Sequence, residues 1–438
     1  MSLALAAAQT SAAHRPAQGT GNATLARDRI IVGIDIGTTK TCTLVGELSG
    51  DGHLSITGYG IGPSQGMRRG MVVNIDEVTT AVMKATARAE RLARCKIETA
   101  YVSIAGSHIA SENSRGAVTF PPGAHEITPA DVQRAVESAR AMPLAADREI
   151  IHLVPRGFIV DGQDGVRDPV GMAGHRLEVE AHIVTGAVAT IHNLIKCVHR
   201  AGIEVDDLVL QPLASAEAVL TDVERELGVV LVDIGGGTTD VAVFIQGSVW
   251  YTAVLPLGGN NITHDLAVGL RIPTEAAEEL KLTHATVHPE ELGQGGTVEV
   301  ESFEPGVPQV VDRRQVAEIV LARVEEILEH VATEIRKSGY WGLIPAGIVL
   351  TGGTAELRGL PALAQRILGM PVRVGLPRGF DGLSDILSRP AFATSVGLVL
   401  WGAGNPVHAR PPRRVPALGS GLAGVVRQLG RLLGAFAV

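Results

Sequence analysis

Two segments of the sequence place the same residue types in the same order at the end of an apolar run. Residues 31–46 read IVGIDIGTTKTCTLVG, and residues 229–244 read VVLVDIGGGTTDVAVF. Glycines let backbone N–H groups approach an anion closely, and threonine hydroxyls add further donors. An aspartate at the end of the first apolar run of each segment can hold a hydrated Mg²⁺. These residue types predict a site for a polyphosphate and its magnesium ion.

The candidate ligand residues occupy matching positions in the two segments. The first segment contributes Asp35, Gly37, Thr38, Thr39 and Lys40. The second segment contributes Asp233, Gly235, Gly236, Gly237, Thr238 and Thr239. A single hairpin of this kind is often an ordinary turn, and Lys40 alone is also explained as a solvated side chain. Two matched copies indicate a duplicated domain whose halves bind one polyphosphate, with Asp35 and Asp233 as the magnesium ligands.

A third segment ends an apolar run in two glycines. Residues 347–360 read GIVLTGGTAELRGL, and the pattern predicts that Thr354 caps a helix beginning near Ala355. A helix N-terminus behind Gly352 and Gly353 would suit the sugar or α-phosphate of a nucleotide. A tight turn between a strand and a helix, without a ligand, explains the same residues equally well.

The elements that position these segments follow from periodicity and capping residues. Asn74 is an N-cap before an amphipathic stretch at residues 75–93, and Thr128 marks a second helix start. That second helix lies between strand-like runs, so residues 106–185 have the pattern of a small α+β insert. A long helix is expected over residues 313–337, before a glycine that ends it.

The composition is that of a globular chain and excludes several classes of protein. The chain has 438 residues, of which 45% are hydrophobic and 19% charged, and its formal net charge is −8. The acidic balance argues against a nucleic-acid-binding protein, and three scattered cysteines make neither a disulfide framework nor a CxxC metal site. No stretch approaches the ~20 apolar residues that span a bilayer. Residues 1–28 predict a disordered N-terminal tail, with an organelle transit peptide as the alternative.

The two hairpins and the LTGG turn resemble the phosphate-1, phosphate-2 and adenosine motifs of the actin, sugar kinase and heat-shock chaperone superfamily. Within that superfamily, residues 30–401 resemble the FtsA family of bacterial cell division proteins. The segments that carry this second resemblance are PSQGMRRGMVVNIDE (63–77), VSIAGSHIAS (102–111), RDPVGMAGHRLEVEAHIVTG (167–186), ERELGVVLVDIGGGTTD (224–240) and AGIVLTGGTAELRGL (346–360). Their order along the chain is specific to that family.

The resemblance implies an actin-like α/β fold of two duplicated lobes, with the insert as subdomain 1C in the first lobe and a C-terminal amphipathic helix. The implied boundaries are 29–105 and 186–210 for subdomain 1A, 106–185 for 1C, 211–262 and 324–385 for 2A, 263–323 for 2B, 386–402 for a return to 1A, 403–420 for a linker and 421–438 for a membrane-targeting helix.

The same resemblance implies roles for residues outside the hairpins. The residues placed near the nucleotide are Gly258, Gly259, Asn260, Glu278 and Lys281. Glu278 and Lys281 are equally explained as an exposed pair three residues apart on a helix. Gln211 would orient an attacking water, with Asp240 as a second candidate. Because glutamine is a poor base, we expect slow or negligible ATP turnover.

Residues 421–438 regain a helical period after a Pro- and Arg-rich linker. Seven apolar residues fall within an arc of about 120° on a helical wheel. They are Leu422, Val425, Val426, Leu429, Leu432, Leu433 and Phe436. Arg427 and Arg431 lie near the opposite face, as in helices that bind anionic membrane surfaces, although a core or coiled-coil helix shows the same stripe. The FtsA resemblance favours the membrane, because that family ends in a membrane-targeting helix.

The resemblance implies an ATP-binding protein that forms filaments on the cytoplasmic face of the inner membrane, at the division septum. It would tether the C-terminal tail of FtsZ through subdomain 2B, where Arg313, Arg314 and Glu318 are candidate contacts, and would recruit later division proteins. Two alternatives stay open: a small-molecule kinase of the same fold, and another actin-like scaffold such as PilM.

Overall fold

The computed structural model describes residues 29–121, 123, 125–292, 296–304 and 306–405. The apolar run that carries Asp35 forms an inner strand of a sheet, and its last six residues are buried. The elements before the insert are β1 (Arg29–Ile36), β2 (Lys40–Leu48), β3 (Leu54–Pro63), β4 (Met67–Arg68), β5 (Met71–Val72), α1 (Ile75–Ala93) and β6 (Thr99–Ile104).

Helix α1 packs across β2 and β3. The Asn74 side chain accepts hydrogen bonds from the backbone N of Asp76 and Glu77, which confirms the predicted N-cap. A Cβ added to Gly60 of β3 would lie only 1.8 Å from the carbonyl oxygen of Ala85. The glycine therefore permits a close approach that holds α1 against the sheet containing Asp35.

The insert forms a sheet of its own. Its elements are β7 (Ala110–Thr119), β8 (His125–Glu126), α2 (Pro129–Arg140), β9 (Arg148–Val160), β10 (Gln163–Val166), β11 (Ala173–Gly174) and β12 (Arg176–Ala187). The strand order is β10-β9-β12-β7, all antiparallel, and α2 packs on β7 and β12. Thr128 and Asp131 exchange hydrogen bonds in a capping box that starts α2, as the sequence predicts.

The chain then returns to the first lobe and crosses to the second. The connecting elements are α3 (Val188–Arg200), β13 (Glu204–Leu210) and α4 (Gln211–Val219). Strand β13 pairs in parallel with β6 and completes the first sheet, whose order is β13-β6-β1-β2-β3. Helix α4 contacts both β13 and β14 and so joins the two lobes.

The second lobe repeats this plan around the second apolar run. Its elements up to the long helix are α5 (Asp222–Leu227), β14 (Val229–Ile234), β15 (Thr239–Ile245), β16 (Ser248–Leu255), α6 (Gly259–Leu270), α7 (Thr274–His284), β17 (Thr297–Glu301), β18 (Pro308–Asp312) and α8 (Arg313–Lys337). The last elements are β19 (Ile348–Thr351), α9 (Leu360–Leu368), β20 (Val372–Val374), α10 (Ser384–Leu387) and α11 (Ala393–Gly404). Short 3₁₀ turns lie at Pro289–Glu291, Trp341–Leu343, Gly353–Glu356 and Pro390–Phe392.

The two main sheets have the same topology. The second sheet has the order β16-β15-β14-β19-β20, which matches β3-β2-β1-β6-β13 strand for strand. In each sheet three antiparallel strands are followed by two parallel ones. The duplicated two-lobed fold, with an α+β insert in the first lobe, is therefore confirmed.

Helices α4 and α11 cross between the lobes with their backbones in contact. A Cβ added to Gly397 of α11 would lie 1.8 Å from the carbonyl oxygen of Ala214 in α4. Helix α11 also packs on β1 and β2, so the chain's last described helix belongs to the first lobe.

The helix predicted at Ala355 is wrong. Gly353–Glu356 form a single 3₁₀ turn, and α9 begins only at Leu360, after Gly359 with a φ of 87°. The Thr354 hydroxyl donates to the carbonyl oxygen of Gly235 at 3.2 Å, so it does not cap a helix. The predicted N-terminal tail and amphipathic helix lie outside the described residues, as does the linker after Asn405. No helix in the described part of the chain has the length and apolar character needed to cross a membrane.

Candidate functional site

The turns of the two matched hairpins face and contact each other. A Cβ added to Gly236 would lie 2.5 Å from Thr39 Cγ2, and one added to Gly237 would lie 2.4 Å from Thr38 Oγ1. Both turns close with the same backbone hydrogen bond, from Gly37 N to Lys40 O at 3.0 Å and from Gly235 N to Thr238 O at 2.9 Å. The duplicated loops therefore converge on one cleft, where a side chain at Gly236 or Gly237 would displace Thr39 or Thr38.

Asp35 and Asp233 lie at the inner end of this cleft, each next to the last residue of its strand. Both are buried, with 6% of each residue exposed. Burial raises the pKa of Asp35, although the charge of Lys40 and hydrogen bonds oppose the rise. Burial also raises the pKa of Asp233 to about 6, and the nearby charge of Asp35 adds to that rise. The lobes thus bring two interacting carboxylates together.

Asp240 forms a third carboxyl group beneath the second hairpin. It stands directly across from Asp233 in the β14–β15 register and is 1% exposed. Its Oδ2 accepts a hydrogen bond from Thr238 at 3.0 Å, whereas its buried Oδ1 has no hydrogen-bond partner among the described residues. Burial raises the pKa of Asp240 well above its ordinary value, reinforced by the charges of Asp233 and Asp35. This environment favours the protonated form of Asp240.

Lys40 lies near both carboxylates, since its charge lowers the pKa of Asp35 and of Asp233. Its ammonium group donates to the carbonyl oxygen of Ala391 and lies 4.1 Å from the ring centroid of Phe392. Lys40 therefore connects the first hairpin to the turn that leads into α11, and it supplies positive charge to the cleft.

The N-terminus of α6, with Gly258 just before it, supports the second hairpin from behind. Gly259 N donates to Gly235 O at 2.9 Å, and Asn260 N donates to Gly236 O at 2.8 Å. A Cβ added to Gly258 would lie 2.6 Å from Gly235 O. These N–H groups hold the loop, so residues 258–260 at the start of α6 shape the cleft by positioning the hairpin.

The predicted adenosine-side residues lie beside the start of α6. Lys281 Nζ lies 2.7 Å from Glu278 Oε2 and also donates to the hydroxyl of Thr263 at 2.9 Å and to the carbonyl of Gly259 at 3.3 Å. A Cβ added to Gly259 would lie 2.7 Å from Thr354 Oγ1. The fold thus brings both the Glu278–Lys281 pair and the LTGG turn to the second hairpin. The exposed-pair explanation does not fit Lys281, whose side chain is 13% exposed.

Gln211 begins α4 and faces the first carboxylate. Its Nε2 lies 3.4 Å from Asp35 Oδ1. This places an amide group next to Asp35, where it could hold a water molecule. The water-orienting role of Gln211, with Asp240 as a second candidate, stays a prediction.

Four buried hydroxyl residues complete the site and were not predicted from the sequence. Ser103 and Ser395 donate to Asp35 at 2.8 Å and 3.2 Å, and Ser215 and Thr394 donate to Asp233 at 2.6 Å and 3.2 Å. The sequence could have indicated Ser215 as a site residue, because it lies one helical turn after Gln211 and therefore on the same face of α4. The sequence gives no such indication for the other three residues, because they lie in apolar runs that come together only in the fold.

The carboxylates fit a hydrated Mg²⁺ held jointly with phosphate groups. Mg²⁺ keeps several waters and takes one or two protein carboxylates together with phosphate oxygens. Asp35 and Asp233 supply two buried carboxylates whose repulsion a divalent cation would relieve. Within the described ranges, no group of three or more His, Cys, Asp or Glu side chains is arranged to hold a metal ion alone. A site completed by a ligand's own oxygens is consistent with that finding.

The predicted partner-binding residues lie in the first two turns of α8. Arg313 and Arg314 begin α8, and Arg314 Nε lies 3.2 Å from Glu318 Oε1 in a half-exposed pair. The predicted membrane-binding residues 422–436 lie outside the described residues.

The chain matches two family models. The model of "Cell division protein FtsA" matches residues 230–397, and that of the "SHS2 domain inserted in FTSA" matches residues 106–185.

Named bacterial proteins are similar to this chain over most of its length. The cell division protein FtsA of Pseudomonas aeruginosa is 46% identical over 374 residues, covering 85% of this chain and 89% of the relative. FtsA of Bacillus subtilis is 41% identical over 378 residues, with coverages of 86% and 84%. FtsA of Escherichia coli K12 is 38% identical over 381 residues, with coverages of 85% and 90%.

Solved structures of low identity share the fold. A structure of the PilM-PilN type IV pilus biogenesis complex has a TM-score of 0.62 at 18% identity and covers 85% of this chain and 98% of the other. MreB5 of Spiroplasma citri bound to ADP has a TM-score of 0.50 at 14% identity, with coverages of 84% and 94%.

Proposed function

Because the chain belongs to the FtsA family of bacterial cell division proteins, we propose that it binds Mg·ATP between its lobes and uses the nucleotide to control self-association. The observation that carries this proposal is the convergence of the two glycine-threonine turns on Asp35 and Asp233. The fold neighbour MreB5, whose structure contains ADP, is consistent with it.

Different residues of the cleft would bind different parts of Mg·ATP. The backbone N–H groups and hydroxyls of the two turns would bind phosphate oxygens from both sides, and Lys40 would add a positive charge. Bound Mg²⁺ would neutralise charge on the phosphates. Asp35 and Asp233 would hold its hydration shell, and Lys281 and Glu278 would flank the nucleoside.

Slow turnover is part of the proposal. Gln211 can orient a water molecule through its amide, but it accepts no proton at neutral pH, so any hydrolysis would rely on positioning and on Mg²⁺. Sustained ATP consumption at roughly tens per second, within the range of ordinary phosphoryl-transfer enzymes, would contradict this part of the proposal. Consumption stimulated by a small metabolite would instead favour a kinase.

The test of nucleotide binding is calorimetric titration of Mg·ATP into the full chain and into Asp233→Asn. We expect the variant to lose at least about tenfold in affinity, the size expected for a lost charge-assisted interaction. Asp164→Asn, which changes an exposed carboxylate of the insert, is the matched control. Equal affinity in wild type and Asp233→Asn would refute the magnesium role.

We propose further that the protein acts at the inner membrane of the division septum. The basic amphipathic pattern of residues 421–438 supports binding to an anionic leaflet. The tail of FtsZ would bind near Arg313, Arg314 and Glu318, and later division proteins would join the assembly. Reversing the charge of Arg314 should weaken binding of an FtsZ tail peptide measured by fluorescence anisotropy; unchanged binding would exclude this contact.

A further inference from the structure

The first sheet ends in an edge strand whose outer side is only partly covered. The strand order β13-β6-β1-β2-β3 leaves β3 at the margin, and among the described residues β3 pairs only with β2 and, at Ser55, with Asp381. There Ile56 N donates to Asp381 O at 2.8 Å, and Asp381 N donates to Leu54 O at 3.0 Å. The chain thus adds a short parallel bridge to the outer side of β3, at its beginning.

Further along β3, the backbone points outward at Tyr59 and Ile61. The guanidinium of Arg88, on α1, donates to Ile61 O, so that carbonyl lies on the outer side of the strand. Backbone groups alternate sides along a strand, so the N–H and C=O of Tyr59, two residues earlier, face the same way. Outward backbone groups at a sheet edge are a template for a further strand. The Arg88 side chain is flexible, and a peptide N–H can take its place at Ile61 O.

A row of side chains on α1 follows this edge. Lys84, Arg88 and Leu92 are spaced by four residues and therefore lie on one side of the helix. The contact of Arg88 with Ile61 places that side along β3. Arg91, three residues after Arg88, extends the positive surface. Leu92 is 54% exposed and adds an apolar contact to the row.

The charge of this surface is opposite to that of the protein as a whole. Residues 83–96 contain five cations and one acid, Glu90, whereas the chain has a formal net charge of −8. Glu90 forms an ion pair with Lys96. In the described part of the chain, Lys84, Arg88 and Arg91 form no ion pair. A basic surface beside an open strand edge is suited to an acidic ligand in extended conformation.

Charge and backbone together decide between the candidate occupants. A second copy of β3 would bring two basic rows together, and residues 406–438, with five Arg and no acidic residue, would be repelled as well. An anionic membrane would meet the charges but offers no backbone groups to Tyr59 and Ile61. An acidic polypeptide segment satisfies both the charges and the strand edge.

We propose that the outer side of β3 and the Lys84–Arg88–Leu92 row of α1 form a docking site for an extended acidic segment of a partner protein. The segment adds to the first sheet as a further strand, with its carboxylates near the basic row and an apolar side chain on Leu92. The site includes none of the residues proposed to hold Mg·ATP or the tail of FtsZ. It therefore adds a partner-binding function to the one proposed above.

The test uses the full chain and two short fluorescein-labelled peptides, one of alternating Glu and Val and the other of alternating Lys and Val. Fluorescence anisotropy should show saturable binding of the Glu peptide and none of the Lys peptide. Lys84→Gln/Arg91→Gln should weaken binding of the Glu peptide at least about threefold, the size expected for two exposed ion pairs. Arg358→Gln/Arg366→Gln makes the same net charge change at exposed arginines of the second lobe and should keep the wild-type affinity. No binding of the Glu peptide at about 1 mM, or equal losses in the two variants, would refute the inference.

Hydrogen–deuterium exchange tests the added strand itself. In the protein saturated with the Glu peptide, the amides of Tyr59 and Ile61 should exchange at least about tenfold more slowly, because a strand then covers them. The amides of β10, an edge strand of the insert, should not change. Binding without protection at Tyr59 and Ile61 would show that the peptide contacts α1 alone, and would refute the added strand. If Lys84→Gln/Arg91→Gln changes only the oligomeric state or the binding to anionic vesicles, the occupant is a second copy or a membrane, and the inference is refuted.

Discussion

At the scale of single residues, the site depends on two positions of the second hairpin that carry no side chain. Gly236 and Gly237 lie within van der Waals contact of Thr39 and Thr38 across the cleft, so the two turns meet backbone to side chain. Both glycines have a φ outside the left-handed region, so the close approach, not backbone conformation, requires them. A side chain at either position would therefore separate the lobes at the point where the turns meet.

The first prediction concerns Gly236→Ala. The added Cβ would lie 2.5 Å from Thr39 Cγ2 and would push the two turns apart. We expect Mg·ATP affinity, measured by calorimetry, to fall at least about tenfold. The control is Gly157→Ala in β9, where an added Cβ meets no described atom within 4 Å. Equal losses in the two variants, or none in Gly236→Ala, would contradict the apposed-turn geometry.

Residue types at the hairpins were predictable from the sequence because glycine, threonine and aspartate recur there in order. The hydroxyl residues Ser103, Thr394 and Ser395 were not, because each lies in an apolar run with nothing nearby to mark it. Their acceptors come from distant segments, with Ser395 bonding Asp35 across 360 residues of sequence. Only the fold brings such pairs together.

At the scale of elements, the insert joins the two lobes by packing on the edge strand of the second sheet. Ser111 of β7 donates to the carbonyl of Thr252 at 2.7 Å, and Arg156 of β9 lies 3.8 Å from the ring centroid of Trp250. His182 of β12 is buried between Asn113 and the Thr252 hydroxyl, at 2.8 Å and 3.0 Å. The insert therefore covers β16 and its backbone with polar contacts.

The second prediction concerns the pH dependence of this interface. Burial lowers the pKa of His182 to about 3, and the charges of Arg156 and His152 add to the effect. The unfolded chain takes up this proton below the ordinary pKa of 6.5, whereas the folded chain does not. The contribution of His182 to the free energy of unfolding is therefore fully present above that value. It is lost as the pH falls toward 3, by about 1.4 kcal/mol per pH unit and proton.

Thermal unfolding between pH 7.5 and pH 5 measures this loss. His182→Gln should show a shallower fall of stability with acid than wild type, since one titrating group is gone while hydrogen bonding is kept. His264→Gln, at an exposed histidine of α6, should follow the wild-type curve. Identical slopes for His182→Gln and wild type would show that the interface does not exclude the proton.

Element boundaries were predictable where capping residues and periodicity agree. The bounds of α1 and α8 and the capping box of α2 are confirmed. The helix expected at Ala355 was wrong because Thr354, a good cap by type, bonds the Gly235 carbonyl instead. At this position, beside the candidate site, a tertiary hydrogen bond outweighs the preference of threonine for capping a helix.

At the scale of the whole molecule, charge is divided unevenly along the chain. The net charge is −8, yet residues 406–438 contain five Arg and no acidic residue. The acidic body would be repelled by an anionic membrane, and a basic terminal segment would overcome that repulsion. The proposed membrane binding is therefore assigned to the last residues and not to the lobes.

The third prediction tests that assignment in the full chain. Leu429→Glu places a charge on the apolar face of the predicted helix and removes buried apolar area worth about 0.8 kcal/mol per CH₂. Co-sedimentation with anionic vesicles should fall to background. Ala435→Glu makes the same charge change one helical turn after Arg431, outside the apolar arc, and it should weaken binding only in part. Equal retention of both variants would indicate that the stripe does not enter the membrane.

Because the two lobes are duplicated, the proposed function requires that both of them bind one triphosphate, each from its own side. A crystal structure of the protein with Mg²⁺ and a non-hydrolysable ATP analogue tests this claim most directly. We expect phosphate oxygens in contact with residues 37–39 and with residues 235–238, and Mg²⁺ near Asp35 and Asp233. Phosphates bound by one turn alone, or a nucleotide outside the cleft, would contradict it.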